Sequence, residues 1–118
     1  MLVEYSELSS EEIDELCKEV TILRSVRHPN LVLYMGSNLH SDPMFLVTEY
    51  CEGGSLSQVI KKMPEMPLLT KIDLSIQVVS AMTYLHSCEP SIVHRDLKPG
   101  NVLLDKTKTV AKVCDFGM

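Results

Sequence analysis

The sequence predicts an α+β chain, and two patterns carry that prediction. Apolar residues recur at three- and four-residue steps in one stretch before residue 26 and another after residue 70, which is the helical period. Short runs rich in β-branched and aromatic residues, "LVLYMG" with "MFLVTEY" and "VLL" with "VAKVC", come in pairs split by polar turns, as antiparallel strand pairs do. With 118 residues, 45% of them hydrophobic and 23% charged, the chain has room for one small globular domain.

The first helix is expected over "SSEEIDELCKEVTILRSV". Ser9 and Glu12 have capping-box spacing, and Ile13, Leu16, Cys17, Val20 and Leu23 form one apolar stripe. It should stop before "RHPN", because Pro29 disfavours helical geometry at His28. "LVLYMG" and "MFLVTEY" then read as a strand pair around the turn "SNLHSDP". "CEGGS" follows, its two glycines allowing a sharp change of direction. "SLSQVIKKM" is a short helix stopped by Pro64 and Pro67.

A long helix is expected from Thr70 to Ser87, with Thr70 and Asp73 as cap and dipole partner. Ile72, Ile76, Val79 and Met82 share one face, widened by Val78 and Leu85. So broad a face implies burial on more than one side. "VLL" and "VAKVC" flank "DKTKT" as a closing hairpin. No repeat or low-complexity segment interrupts this order.

Charge and cysteine placement exclude several function classes. The net charge is −5, with no Lys/Arg cluster beyond Lys61-Lys62 and Arg24/Arg27, so no nucleic-acid surface is expected. Cys17, Cys51, Cys88 and Cys114 share no metal-ligand spacing, which argues against zinc and for a reducing compartment. The acidic start "MLVEYSELSS" is unlike a signal peptide. No apolar run approaches the ~20 residues that span a bilayer. The expectation is a cytosolic chain, with the nucleus as the alternative, and no membrane partner.

Chemistry concentrates in "HRDLKPGN", His94 to Asn101, and in "DFG" from Asp115. Alone, such an octet is usually a solvated turn. Here the hairpin after it should return Asp115 beside Asn101, so that Asp96, Asn101 and Asp115 converge. Asn101 and Asp115 offer the oxygen donors that Mg²⁺ prefers, and Lys98 offers one positive charge for a phosphate. A carboxylate to orient a hydroxyl, a lysine for developing charge and two metal-ligand positions are the parts that phosphoryl transfer needs.

At these residues the chain resembles the protein kinase family. "HRDLKPGN" is similar to the catalytic loop H-R-D-x-x-x-x-N, and "DFG" to the metal-binding triplet. The resemblance covers nearly the whole chain. It implies a partial bilobal kinase fold: residues 1–48 as an N-lobe remnant, 49–54 as the hinge and 55–118 as the start of the C-lobe. Lys98-Pro99 implies the serine/threonine type. "RHPNLVLYMG" and "YLHSCEPSIVHRDLK" resemble the tyrosine-kinase-like group, such as Raf and mixed-lineage kinases. Gly100 and Met118 depart from the commoner residues at their positions without removing a catalytic group.

The resemblance also implies site residues. ATP and Mg²⁺ would be the cofactors and a Ser/Thr-bearing protein the substrate. Asp96, Lys98 and Asn101 would be catalytic, with Asn101 and Asp115 as metal ligands. Thr48, Glu49, Cys51 and Leu103 would line the adenine site, Thr48 as gatekeeper and Leu103 as floor, while Lys98 would contact the γ-phosphate. Glu19 would be the helix glutamate that pairs the nucleotide-positioning lysine; read without the family, it is a surface acid near Arg24. Leu23, Tyr34, His94 and Phe116 would be stacked side chains, or ordinary core. Cys51 and Cys114 stand either as thiols reachable by an electrophile or as buried, inert ones.

No G-x-G-x-x-G and no V-A-I-K-like strand precede the first helix, and an activation segment does not follow. Three readings therefore stay open: a kinase core fragment, a non-catalytic kinase-like module that binds a kinase or scaffold partner, or an incomplete gene product. An exposed core Leu or Ile forfeits about 1.5–3 kcal/mol, and whole domains are stable by only about 5–15 kcal/mol. Marginal stability, with one side of the Thr70–Ser87 helix uncovered, is the expectation for the chain on its own.

Overall fold

A computed structural model describes residues 1–116. It divides into two compact units, one of residues 1–27 and 33–50, the other of residues 28–32 and 51 onward. Residues 28–32, placed by the sequence within an N-lobe remnant, group with the second unit.

The first unit holds β1 (Leu2–Tyr5), α1 (Ser10–Ser25), β2 (Tyr34–Asn38) and β3 (Met44–Thr48). The three strands form an antiparallel sheet in the order β1-β3-β2. The capping box of α1 forms as its sequence predicts: Glu12 N–H donates to Ser9 Oγ at 3.2 Å, and Ser9 N–H to Glu12 Oε2 at 2.7 Å. Leu16 and Val20 of α1 meet Leu46 of β3 in a small core, with Tyr5, Leu23 and Tyr34 packed around it.

Two strand expectations change. "LVEY" forms β1, paired Leu2↔Val47 through Tyr5↔Met44, where no strand was expected. β2 begins at Tyr34 rather than Leu31. The reason is competition for backbone partners: Leu31 bridges Val113 in parallel, and Val32 N–H donates to Val113 O at 3.0 Å.

The second unit holds β4 (Gly54–Ser55), α2 (Leu56–Lys62), α3 (Leu68–Ser87), a 3₁₀ turn at Pro99–Asn101, β5 (Val102–Leu104) and β6 (Ala111–Val113). Its sheet has the order β4-β5-β6. A second capping box, Ser55 with Gln58, starts α2. Each glycine of "CEGGS" has its own cause. A Cβ on Gly53 would lie 2.1 Å from Asp105 O and 2.7 Å from Leu104 O, while Gly54 has a φ of +76°.

The expected cap of α3 is corrected. The helix begins at Leu68 behind Pro67, with no side-chain cap bond, so Thr70 lies inside its first turn. Pro67 supplies a pre-set φ and has no N–H to satisfy there. The buried side of α3 is Leu74, Ala81 and Leu85, whereas Ile76 and Val79 are 61% and 62% exposed. The face expected at Ile72, Ile76 and Val79 is therefore the uncovered one. Beside it, α2, α3 and the loop at Leu97–Pro99 enclose a mostly apolar groove of about 630 Å³.

The closing hairpin is organised by Asp105. Its Oδ1 accepts from the N–H groups of Thr109 and Val110 at 3.0 Å each, and its Oδ2 from Thr107 Oγ1 at 2.7 Å. Those hydrogen bonds, the Thr107 hydroxyl first, hold the Asp105 carboxyl below the usual carboxylate range. No helix among the described residues is long and apolar enough to cross a membrane.

Candidate functional site

The charged octet and the end of the hairpin meet within the second unit. Cys114 N–H donates to Asn101 O at 2.9 Å, so the chain returns beside the octet as the hairpin requires. Asn101 is buried, and its Nδ2 donates to Asp96 O at 2.9 Å and to Asp96 Oδ2 at 3.3 Å. With Nδ2 directed at Asp96, Oδ1 is left as the acceptor that a cation can use. Asp96 and Asp115 are exposed acids at the rim of this arrangement. Lys98 Nζ lies 3.4 Å from Asp96 Oδ2 with both side chains more than half exposed. Such a pair contributes little to stability; it places a cation beside the carboxylate.

His94 ties the two arms together. Its Nδ1 accepts Asp96 N–H at 3.1 Å, which assigns the ring proton to Nε2 and makes it the donor to Cys114 O at 2.7 Å. The ring is 3% exposed. Beyond the stacking role expected for it, His94 links the backbone at Asp96 to the residue before Asp115. Arg95 at φ +75° and Asp115 at φ +55° hold left-handed conformations that side-chain-bearing residues seldom adopt. Such strain gathers at functional sites.

Burial, reinforced by the neighbouring Asp115 carboxylate and by Cys51, pushes the Cys114 thiol up to about 12. At neutral pH it is a thiol, whose Sγ donates to Asn101 O at 3.4 Å. This places Cys114 with the inert of the two readings weighed for it.

The remaining expected residues are distributed between the units. Glu19 is half-buried on α1, and Thr48 ends β3. Glu49 exchanges bonds with Leu33: its N–H donates to Leu33 O at 2.9 Å, and its Oε1 accepts Leu33 N–H at 2.8 Å. The Glu49 side chain thus serves the backbone of its own unit. In the second unit Cys51 is buried, and Leu103 lies half-buried on β5 between Ser55 and Lys112. Phe116 is 2% exposed. Gly117 of the triplet, and Met118, lie outside the described residues.

Sequence reasoning passed over His28, Asn30 and Gln77. His28 Nδ1 accepts Asn30 N–H at 3.0 Å, its Nε2 faces Ser80 Oγ at 3.2 Å, and its ring packs 5.2 Å from that of Tyr84. Asn30 is buried and reaches both Gln77 and Ala111. The available signal was a polar residue inside an apolar run, Gln77 in "LSIQVVSAM".

Among the described residues no group of three or more His, Cys, Asp or Glu side chains could hold a metal by itself. One carboxylate and one amide oxygen suit Mg²⁺, which keeps several waters or phosphate oxygens rather than a full protein cage. The donor types at Asn101 and Asp115 therefore suit Mg²⁺.

Residues 2–118 match the model of the protein kinase domain. The chain belongs to the protein kinase family. It is 42% identical over 114 residues to probable serine/threonine-protein kinase SIS8 of Arabidopsis thaliana, covering 95% of this chain and 11% of that protein. It is 42% identical over 112 residues to serine/threonine-protein kinase CTR1 of the same plant, covering 92% and 14%. A third relative, serine/threonine-protein kinase VIK, also of Arabidopsis thaliana, is 39% identical over 107 residues, covering 90% and 24%. The kinase-family chain thus spans between about a tenth and a quarter of these relatives' lengths, and its α+β elements are those of a partial kinase domain.

Proposed function

We propose that this chain is the core of a serine/threonine-protein kinase, which passes the γ-phosphoryl group of ATP to a hydroxyl of a protein substrate. The observation that carries the reading is the Asp96–Asn101 pair, tied through Asn101 O and His94 to the segment that ends in Asp115. Asp96 orients the attacking hydroxyl and accepts its proton. Lys98, on the same edge of the loop, balances negative charge on the transferred group. Asn101 Oδ1 and Asp115 would hold Mg²⁺, which would supply positive charge to neutralise the phosphates. Asn101 has a second task, since its Nδ2 fixes the rotamer of Asp96.

In this reading Thr48, the Glu49 and Cys51 backbone, and Leu103 receive the adenine, and Glu19 positions a phosphate-binding lysine. The acidic net charge supports a protein rather than a nucleic-acid substrate. The test is transfer of radiolabelled phosphate from ATP to a generic protein acceptor, with Asp96→Asn as control. The reading expects Mg²⁺-dependent transfer that falls by about 10²- to 10⁴-fold in the variant, the usual worth of a positioned base. Transfer indifferent to Asp96 would reject it.

A second reading, a kinase-like module that binds a partner, draws on the uncovered apolar side of α3 and the groove beside it. A chain that binds a kinase or scaffold while showing no Asp96-dependent transfer would favour it.

A further inference from the structure

β6 is an edge strand, and what covers its outer edge differs from what covers most edges. Asp105 N–H donates to Val110 O and Cys114 N–H to Asn101 O. By antiparallel alternation, the backbone groups of Ala111 and Val113 therefore point away from β5. All four are satisfied. Val113 N–H donates to Asn30 O at 2.9 Å, and Val113 O accepts Val32 N–H at 3.0 Å. Ala111 has no backbone partner on that side and uses side-chain amides instead. Its N–H donates to Gln77 Oε1 at 2.7 Å, and its carbonyl accepts from Asn30 Nδ2 at 2.9 Å.

Gln77 makes every hydrogen bond its amide allows. Oε1 also accepts from Asn30 Nδ2 at 3.0 Å. Nε2 donates to Thr109 O at 2.8 Å and to Asp73 Oδ2 at 2.9 Å. The donor at Ala111 and the acceptor at Thr109 permit only one orientation of the amide. Asp73, one helical turn earlier on α3, reinforces that orientation with its carboxylate. A single side chain thus fixes the hairpin to α3 at two backbone points, Thr109 in the turn and Ala111 at the start of β6, ahead of Cys114 and Asp115.

We propose that Gln77 is a positioning residue for the metal-binding end of the hairpin: it sets the place of Asp115 through β6 without touching metal, nucleotide or substrate. This rests on the reading of Asp115 as a Mg²⁺ ligand. Gln77→Glu is the informative change, because it keeps the shape and the Ala111 bond but turns an acceptor toward Thr109 O and Asp73.

The test uses the full chain and two measurements. Amide hydrogen exchange, without metal, is expected to quicken at Ala111, Val113 and Cys114 in Gln77→Glu while the amides of α1 and α2 hold their rates. Mn²⁺ binding in the presence of a non-hydrolysable ATP analogue, followed by electron paramagnetic resonance, is expected to weaken about 10- to 100-fold, as when a supporting partner of a metal ligand is removed. Adding Asp73→Asn, which offers the new carboxylate a donor, should restore part of that loss.

Unchanged exchange at Val113 and Cys114, or Mn²⁺ affinity lowered by Asp115→Asn but not by Gln77→Glu, overturns the role of Gln77 and leaves the site reading intact. Exchange quickened equally in α1 and α2 would show a purely structural role and overturn it as well. Mn²⁺ affinity unmoved by Asp115→Asn rejects the site reading, and the inference with it. Should Gln77→Glu not fold, Asp73→Ala removes only the orienting bond from an exposed position and is expected to shift the same two readouts in the same direction, by less.

Discussion

The β5–β6 hairpin and the outer side of α3 belong to the same unit and are finished to very different degrees. Leu104, Ala111 and Val113 are fully buried, and the outward backbone groups of Ala111 and Val113 all have partners. On α3, Leu68 and Leu69 are 70% and 80% exposed, and Ile76 and Val79 are over half exposed. Apolar burial drives most of folding, yet here the strands that lead to the chemistry are completed while part of the helix supporting them is bare. Order at the candidate site comes from saturated hydrogen bonds over a small core, not from the extent of that core.

That contrast can be broken from either side. The largest effect is expected from Leu85→Ala, which truncates a fully buried side chain of α3: about 2–5 kcal/mol lost, read by urea unfolding. Ile76→Lys, on the opposite side of the same helix, should change stability by no more than about 0.5 kcal/mol and should reduce self-association seen by light scattering. Equal losses from the two would mean that the bare side is not bare in solution.

Gly53→Ala tests the closed side through the backbone. Its Cβ would meet two carbonyl oxygens of the β5 end well inside contact distance, so a loss of about 1–3 kcal/mol or more is expected in the same unfolding assay. Asn30→Ala strips a donor from Ala111 O and from Gln77 Oε1. Gln77 Oε1 keeps the Ala111 N–H, but the Ala111 carbonyl is left without its donor, which should lower stability by about 1–3 kcal/mol.

A further effect appears only in alkali. The Cys114 thiol lies above its ordinary value of 9.0, at about 12. Its contribution to stability is therefore whole below about 9 and lost as pH rises from there toward 12. Cys114→Ala should flatten that part of the stability curve. An unchanged alkaline slope would contradict the burial assigned to the thiol.

How much of this was legible depended on whether the signal was local. The capping box at Ser9/Glu12 could be read three residues apart, because a cap is made of neighbours; the box at Ser55/Gln58 has the same spacing and was passed over. The octet and the "DFG" triplet could be read because their spacing around a short hairpin dictates the meeting of Asn101 and Cys114. β1 was not legible, since "LVEY" is too short to declare a strand without β3 beside it. The same holds for Leu31 and Val32, whose backbone leaves one strand run to join Val113, far along the chain. Thr70 offered a plausible cap, but Pro67 started the helix three residues earlier. Asn30 and Gln77 carried only a faint sign, because their partners at Thr109 and Ala111 are long-range.

The most direct test is a residue-by-residue map of amide hydrogen exchange in the unmodified chain. The account predicts that Ala111, Val113 and Cys114 exchange as slowly as the buried turn of α3 at Leu85, while the amides of Ile72 to Val79 open sooner. Rapid exchange at Val113 and Cys114, on a par with the most exposed loops, would contradict it, because the segment leading to Asp115 would then not be held by the bonds that define the site.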